Sequence, residues 1–269
     1  MIRVELRKLL RRPRTWVTIA LLDALPTLVA VLLALTDVGP RPGSGPAFLS
    51  AVLADGTLFP LAALAIVLPL FLPIAVSVVA GDSVAGEAQG GTLRYLLARP
   101  VSRTRLLVAK LVSVTAFVLL AVLVVAGTAY VTGVLLLGDQ PGTAVSVSGS
   151  TLTSDEVLQR TILAIGYVVV SMLGVAAIAL FLSTLTDSAL SAALGAMAFL
   201  IASTLLLTLD AAASLQPYLP TRYWLAFVDL FRDPILWRDV VRGVLQQGGY
   251  VVVFLGAAWA NFATKDITS

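Results

Sequence analysis

The residues of this chain that could do chemistry concentrate in segment 81–110, a long polar stretch bracketed by apolar runs. Two carboxylates, Asp82 and Glu87, lie near its start. Three leucines at helical spacing follow them: Leu93, Leu96 and Leu97. Five cations surround these leucines: Arg94, Arg99, Arg103, Arg105 and Lys110. The spacing predicts a short helix that ends before Pro100, because the residue before a proline is disfavoured in the helical region.

An apolar stripe surrounded by charge suits the docking of a protein partner. The apolar side chains would bury area, and the charges would steer the approach of the partner. The same residues also fit a solvated loop whose arginines only set the orientation of the protein in a membrane. The residue pattern alone leaves both interpretations open.

The residue types that are absent exclude several kinds of site. Without His, the chain has no His-containing zinc site, no haem-ligating His and no Ser-His dyad. Without Cys, it has no thiolate chemistry, disulfide or iron–sulfur ligation. None of its lysines, Lys8, Lys110 and Lys265, follows a glycine, so the Gly-Lys-Ser/Thr end of a Walker A motif is absent. The chain is therefore predicted not to be an enzyme, and an ATP-driven step would need a second polypeptide.

The elements that position these residues are predicted to be membrane-spanning helices. Hydrophobic residues make up 59% of the chain and charged residues 12%, with a mean hydropathy of +0.99. A soluble domain has roughly 25% charged residues, and a spanning helix needs about 20 apolar ones. Six apolar runs fit this length: 15–36, 57–80, 106–137, 157–183, 188–208 and 244–262. The predicted fold is an all-α membrane protein with six transmembrane helices in one domain, 1–269.

The distribution of Lys and Arg predicts that both termini are cytoplasmic. With the N-terminus inside, inner segments carry twelve of these residues and outer segments six, as the positive-inside rule requires. The arm 1–14 has an apolar helical stripe beside an arginine stripe, which predicts a helix lying in the headgroup plane. A signal peptide is disfavoured, because the run 15–36 exceeds the roughly 7–15 residues of its apolar region. The net charge of +3 is explained by these membrane-flanking cations, so no nucleic-acid partner is expected.

Asp23 is the clearest ionisable residue within a predicted span. It lies about a third of the way into the first span, where an ionised carboxylate costs roughly 2.5–3.5 kcal/mol. Such a residue commonly faces a cavity or a partner, so Asp23 is a candidate for lining a substrate pathway. Alternatively it stays hydrated near the inner headgroups or pairs with Arg11 or Arg14.

Prolines and small residues predict how two of the spans pack. Pro69 and Pro73 each remove a backbone hydrogen bond from the second span, which predicts a kink. Ser188, Ala192 and Ala196 form a stripe of small residues on the fifth span. Such a stripe allows close helix packing, either within one subunit or between two subunits.

Two outer segments carry recognisable helix signals. Ser154 is predicted to cap the fourth span. Segment 210–242 holds a short apolar helical stripe: Trp224, Phe227, Val228 and Phe231. Asp233-Pro234 predicts a second short helix after it. The pair would dip into the outer membrane interface with aromatic anchoring, the alternative being an ordinary surface loop.

The order of short motifs in segment 81–110 carries a family resemblance. It runs Asp82, Glu87, Gly91-Thr92-Leu93, Leu96-Leu97, Pro100-Val101-Ser102-Arg103 and Lys110. This string resembles that of ABC-2 type transporter permeases, of the kind that includes antibiotic-export and nitrous-oxide-reductase-maturation permeases. The Arg-rich arm, six spans, long outer segment and short polar tail extend the resemblance over the whole chain.

The resemblance implies a division of labour between this chain and its partners. Segment 81–105 would be the cytoplasmic coupling segment, with a coupling helix at 91–98 that fits a groove on a separate ATP-binding subunit. The residues assigned to this contact are Glu87, Gly91, Thr92, Leu93, Leu96 and Leu97. The arm 1–14 would be the elbow helix on the inner leaflet of a bacterial plasma membrane. Two ATP-binding subunits would hold ATP and Mg, and a second permease subunit, identical or different, would complete the pathway.

The sequence therefore predicts the permease subunit of an ATP-driven exporter, with membrane lipid around it and no cofactor of its own. The transported cargo is not specified. The alternative is an ion-driven secondary carrier or channel without an ATPase partner. Such proteins commonly show inverted repeats and intramembrane carboxylates, whereas only Asp23 is evident here. An intramembrane enzyme is disfavoured, because Asp23 alone does not form a carboxylate dyad.

Overall fold

The computed structural model describes residues 1–36, 55–91, 103–138 and 146–264. These residues form eight α-helices: α1 (Ile2–Arg11), α2 (Pro13–Leu35), α3 (Phe59–Val67), α4 (Phe71–Gln89), α5 (Arg103–Leu137), α6 (Ser154–Leu185), α7 (Ala189–Leu207) and α8 (Trp237–Thr264). Short 3₁₀ helices occupy Gly56–Leu58, Asp210–Ala212, Gln216–Tyr218 and Trp224–Phe231.

Six of these helices are long and apolar enough to cross a membrane: α2, α4, α5, α6, α7 and α8. This confirms the prediction of a multi-pass, all-α membrane protein. Helices α2, α5, α6 and α7 begin and end within three residues of the predicted runs. The bundle has two ends, which we call the α1 end, where α1 lies, and the far end, where α2 and α5 finish.

The second predicted span is broken into α3 and α4. The break spans Leu68 to Leu70, and Pro69 lies within it. Pro73 lies in the first turn of α4, where a missing backbone N–H removes no helical hydrogen bond. Helix α3 is buried along almost its whole length. The prolines therefore separate a short buried helix from a second helix that leads to the α1 end.

Helix α4 continues to Gln89, nine residues past the predicted end of the second span at Ala80. The predicted end of the second span therefore does not end the helix, since Asp82 and Glu87 both lie within α4. The charged residues lower the hydropathy and so end the span that hydropathy predicts. The helix itself continues past that point because it packs against other helices. Ser183 of α6 accepts hydrogen bonds from the backbone N–H groups of Val84 and Ala85, at 3.1 and 2.9 Å.

Helix α6 lies at the centre of the bundle and packs against α4, α5, α7 and α8. Helices α4 and α7 approach closely, because a Cβ at Gly81 would lie 3.0 Å from the backbone nitrogen of Ala193. Ala192 and Ala196 are buried within this one subunit. Of the two uses predicted for the small-residue stripe, these alanines serve packing inside the subunit.

The far end is covered by the aromatic cap, which we define as Trp224, Phe227, Leu230 and Phe231 of the 3₁₀ helix Trp224–Phe231. All four side chains are buried, and this helix packs on α6 and α8. Of the aromatic residues predicted to anchor the segment in the membrane interface, Trp224, Phe227 and Phe231 pack on the protein instead, whereas Tyr218 and Trp237 are exposed. Val228, on the same predicted stripe, is half-buried.

Two helix starts at the far end also differ from prediction. The second short helix expected at Asp233-Pro234 is absent from this described part of the chain, because α8 begins at Trp237 and runs without interruption to Thr264. Helix α6 is capped by Thr153 instead of Ser154. Thr153 and Glu156 form a reciprocal capping box, in which each side chain accepts a hydrogen bond from the other residue's backbone N–H.

Candidate functional site

A group of charged side chains is buried at the α1 end, where α1, α4 and α5 meet. We call it the buried ion cluster and define it as Glu5, Lys8, Glu87 and Lys110. The Glu87 carboxylate accepts hydrogen bonds from both lysines through Oε1, with Lys8 Nζ at 2.7 Å and Lys110 Nζ in close contact. Lys110 Nζ also lies 3.4 Å from Oε2 of Glu5. The cluster therefore joins three helices by charge-assisted hydrogen bonds.

The centre of the cluster is strongly dehydrated. Only 6% of the Glu87 side chain and 3% of the Lys110 side chain are exposed, whereas Lys8 is 37% exposed. A buried charge without an opposite charge beside it is very unfavourable, so these groups depend on one another. The two carboxylates and two ammonium groups balance in charge. Such a balanced cluster stabilises one arrangement of α1 against α4 and α5.

Local sequence explains why α1 supplies two members of the cluster. Glu5, Lys8 and Arg12 follow one another at intervals of three and four, so they lie along one face of the helix and its C-terminal cap. Leu9 on the same face is buried. The arginines of the predicted stripe lie outside this face and are exposed: Arg3, Arg7 and Arg11 on α1, and Arg14 in the first turn of α2.

A second charged group lies beside the cluster, nearer to solvent. We call it the arginine–aspartate rim, formed by Arg12, Arg14 and Asp82. Oδ2 of Asp82 accepts a hydrogen bond from Nη1 of Arg12 at 3.0 Å and one from Nη2 of Arg14 at close contact. The side chains of Arg12 and Arg14 are 37% and 59% exposed. The rim thus ties the junction between α1 and α2 to α4.

The cluster and the rim line a common cavity of about 480 Å³. Glu87 and Lys110 line its buried side, and the more exposed Arg12 and Arg14 line its outer side. The cavity also has an apolar wall: Leu9, Val78, Val79 and Val114. This volume lies within the range of about 300–1,000 Å³ that small-molecule sites have.

The structure locates two of the six residues predicted for partner contact. Glu87 is the centre of the buried ion cluster. Gly91 follows α4 with a φ of 65°, the left-handed conformation in which glycine commonly ends a helix. Thr92, Leu93, Leu96 and Leu97 lie outside the described residues, so their predicted role stays a prediction.

Asp23, the candidate for lining a pathway, lies away from the cluster in the middle of α2. Its Oδ1 accepts a hydrogen bond from the hydroxyl of Thr128 on α5. Arg14, one of its two predicted partners, bonds Asp82 instead. The contact with Thr128 joins α2 to α5 at mid-bundle and gives the half-buried carboxylate a polar neighbour.

Sequence reasoning missed the part that α1 plays in this site. It assigned the cations of the arm to lipid headgroups, whereas Lys8 bonds Glu87 and Arg12 bonds Asp82. The signal that could have revealed this is Glu5, an acidic residue on the same face as Lys8 and Arg12 in an otherwise basic arm. A mixed-charge face indicates that its charged residues pair with groups of the protein.

The arrangement is suited to holding helices together and to binding a charged group. In the parts of the chain that the structure describes, no group of three or more His, Cys, Asp or Glu side chains could hold a metal ion.

No curated protein matches the chain. A family model described as "Protein of unknown function (DUF2705)" matches residues 46–268. Since this match covers most of the chain, the protein belongs to the DUF2705 family.

Proposed function

We propose that this chain is the permease subunit of an ATP-driven exporter, working as a dimer with separate cytosolic ATP-binding subunits. The observation that carries the proposal is the place of Glu87. It lies in the last turn of α4, directly before the motifs that resemble the family's coupling helix, and it is bonded to Lys8 of α1 and Lys110 of α5.

These bonds connect both flanks of the proposed docking segment. Segment 92–102 joins α4 to α5, and Glu87 and Lys110 pair across its two ends. A force applied to the segment would therefore reach α4 and α5 together instead of one helix alone. Through Lys8 it would also reach α1. This is the mechanical connection that a permease needs if a partner subunit moves its helices.

The energy source in this proposal is a second polypeptide. The chain has no Walker A lysine that follows a glycine, so ATP and Mg would be held by the partner. Closure of two such subunits would displace the docking segments and switch the path between two permeases from one side of the membrane to the other. Asp23, in mid-bundle on α2, is the residue proposed to line that path.

The test is co-purification with the products of neighbouring genes. The tagged chain is expressed with these genes, purified in detergent or nanodiscs, and assayed for ATPase activity. We expect an ATP-binding subunit to co-purify with the intact chain. The double variant Leu93→Asp with Leu97→Asp should lose it, because two charges replace the predicted docking stripe.

The control is Leu215→Asp at the far end, where the leucine is 54% exposed. It adds the same charge away from the docking segment and should retain the partner and its ATPase activity. If the intact chain purifies alone from membranes that contain the candidate ATPases, the exporter proposal fails. The ion-driven carrier, with Asp23 and Thr128 as its polar pair, would then be the better hypothesis.

A further inference from the structure

We infer that the cavity at the α1 end binds a phosphate group, and that its physiological source is the headgroup of an anionic membrane phospholipid. Arg12 and Arg14 would hold the phosphate beside Asp82. This inference does not depend on the proposed exporter function, since it rests on the cavity alone.

The first argument is charge. The described residues that line the cavity include four cations, Lys8, Arg12, Arg14 and Lys110, and three carboxylates, Glu5, Asp82 and Glu87. The buried ion cluster accounts for two charges of each sign and is neutral. The surplus positive charge therefore belongs to the arginine–aspartate rim, where two guanidinium groups share one carboxylate.

The second argument is hydrogen-bonding capacity. A guanidinium group has five N–H donors in a planar fork, which suits bidentate contact with phosphate oxygens. Asp82 accepts one hydrogen bond from each of the two arginines. Within the described surroundings, further donors of both groups are left for a second anion. Arg12 and Arg14 are exposed enough to be reached from outside.

The third argument is position, and it favours a lipid as the source. Trp16, two residues after Arg14, is 48% exposed, and its indole N–H donates to the carbonyl of Leu10 at 2.8 Å. Exposed tryptophans are enriched at the membrane–water interface. The rim therefore lies at headgroup level, and the apolar wall formed by Val78, Val79 and Val114 suits the glycerol and first methylenes of a lipid.

The experiment measures lipid retained by the full-length protein. The protein is reconstituted in nanodiscs with equal amounts of phosphatidylglycerol and phosphatidylcholine, released, and examined by native mass spectrometry. We expect about one phosphatidylglycerol per chain to be retained in preference to phosphatidylcholine. For Arg12→Gln with Arg14→Gln, the apparent affinity should fall about tenfold, the effect of losing roughly one charge-assisted hydrogen bond.

Two further variants test whether Arg12 and Arg14 bind the lipid specifically. They distinguish this from general attraction of anionic lipid to a basic helix and from a purely structural role of the two arginines. Arg3→Gln with Arg7→Gln removes the same charge from exposed positions of α1 outside the cavity and should leave retention unchanged. Asp82→Asn removes the competing carboxylate and should strengthen retention. Equal loss in the Arg3 and Arg7 variant would overturn the inference, as would loss in Asp82→Asn.

Competition with inorganic phosphate shows whether the cavity recognises the phosphate group alone or the whole lipid. Millimolar phosphate that displaces phosphatidylglycerol from the intact protein, but not residual lipid from the Arg12 and Arg14 variant, would show that the phosphate group alone is recognised. Retention that resists phosphate would show that the lipid as a whole is bound. Both results support the site, whereas equal retention of the two lipids by the intact protein contradicts it.

Discussion

The two ends of the helix bundle are held together by different physical means. At the α1 end, the buried ion cluster and the rim join helices through charged groups that share partners. At the far end, side chains donate to backbone carbonyls in the stretch of turns and 3₁₀ helices between α7 and α8. Tyr167, Gln247 and Tyr250 bond the carbonyls of Tyr223, Pro220 and Tyr218 at 2.5, 2.7 and 2.9 Å.

This difference bears on which end can rearrange. A buried backbone carbonyl that is not bonded within a helix or strand needs another hydrogen-bond donor. If that donor is lost, no other bond replaces it and the carbonyl is left unpaired. A carboxylate shared by two cations can keep one partner while releasing the other. Glu87 and Asp82 are both shared in this way. The far end therefore has the character of a fixed cover, and the α1 end that of a junction whose contacts a ligand or partner can redistribute.

The largest expected effect comes from removing the central charge of the junction. Glu87→Gln leaves the ammonium group of Lys110, whose side chain is 3% exposed, with only the more distant carboxylate oxygen of Glu5, at 3.4 Å, of the contacts within the buried ion cluster. We expect the free energy of unfolding to fall by about 3–5 kcal/mol, the usual cost of breaking a buried ion pair. Denaturant titration in detergent measures it.

Asp155→Asn is the matched control, because Asp155 is also a carboxylate near a helix end but is exposed. It should cost far less. Adding Lys110→Met to Glu87→Gln should recover part of the loss, since it removes the dehydrated cation that has lost its nearest carboxylate. Equal costs for the Glu87 and Asp155 variants would show that the cluster is not dehydrated and would contradict the difference described between the two ends.

A smaller effect is expected from a neutral bond at the far end. Tyr167→Phe removes the hydroxyl that donates to the carbonyl of Tyr223 and should lower the free energy of unfolding by about 1–2 kcal/mol. The loss should be the same at low and high salt, because neither group is charged. Tyr130→Phe, at a tyrosine that is 51% exposed, is the control and should change little. A strong salt dependence for Tyr167→Phe would contradict the neutral character of this hydrogen bond.

The smallest effect should come from the exposed part of the junction. Arg14→Gln removes one of two partners of Asp82, and the arginine side chain is 59% exposed. We expect a loss of about 0.2–1 kcal/mol at low salt that shrinks as added salt screens the pair. Lys110→Met, in the buried cluster, should keep its larger cost across the same salt range. If the loss of unfolding free energy for Arg14→Gln did not depend on salt, the arginine–aspartate rim would be dehydrated like the buried ion cluster, contrary to this prediction.

The sequence predicted the fold well where a single physical quantity decides it. Length and hydropathy identify the spanning helices, because a helix crossing hydrocarbon needs a fixed number of apolar residues. The same measure failed at two helix ends that carry charge. Helix α4 extends through Asp82 and Glu87, and α8 begins at Trp237, before Arg238 and Asp239. In both cases tertiary contacts and the backbone hydrogen bonds of the helix continue it beyond the residue at which hydropathy alone would end it.

The candidate site was predicted in part. The motif order singles out Glu87 for partner contact, and it includes Lys110 without assigning it a role. Their pairing, and the part played by Glu5 and Lys8, could not be predicted because these residues lie far apart in sequence. Lys8 and Glu87 are 79 positions apart, and Lys110 and Glu5 are 105 positions apart.

By itself, the sequence determined that the chain forms apolar helices of spanning length, that prolines disturb the regular helix of the second predicted span, and that His, Cys and Walker A chemistry are absent. These properties follow from local composition and backbone sterics. The tertiary structure alone decided which charges are buried, which cations share Glu87 and Asp82, and that the aromatic stripe at Trp224 packs on protein. The reason is that burial and ion pairing depend on which helix faces meet, and the spacing of residues along one helix does not specify its neighbour.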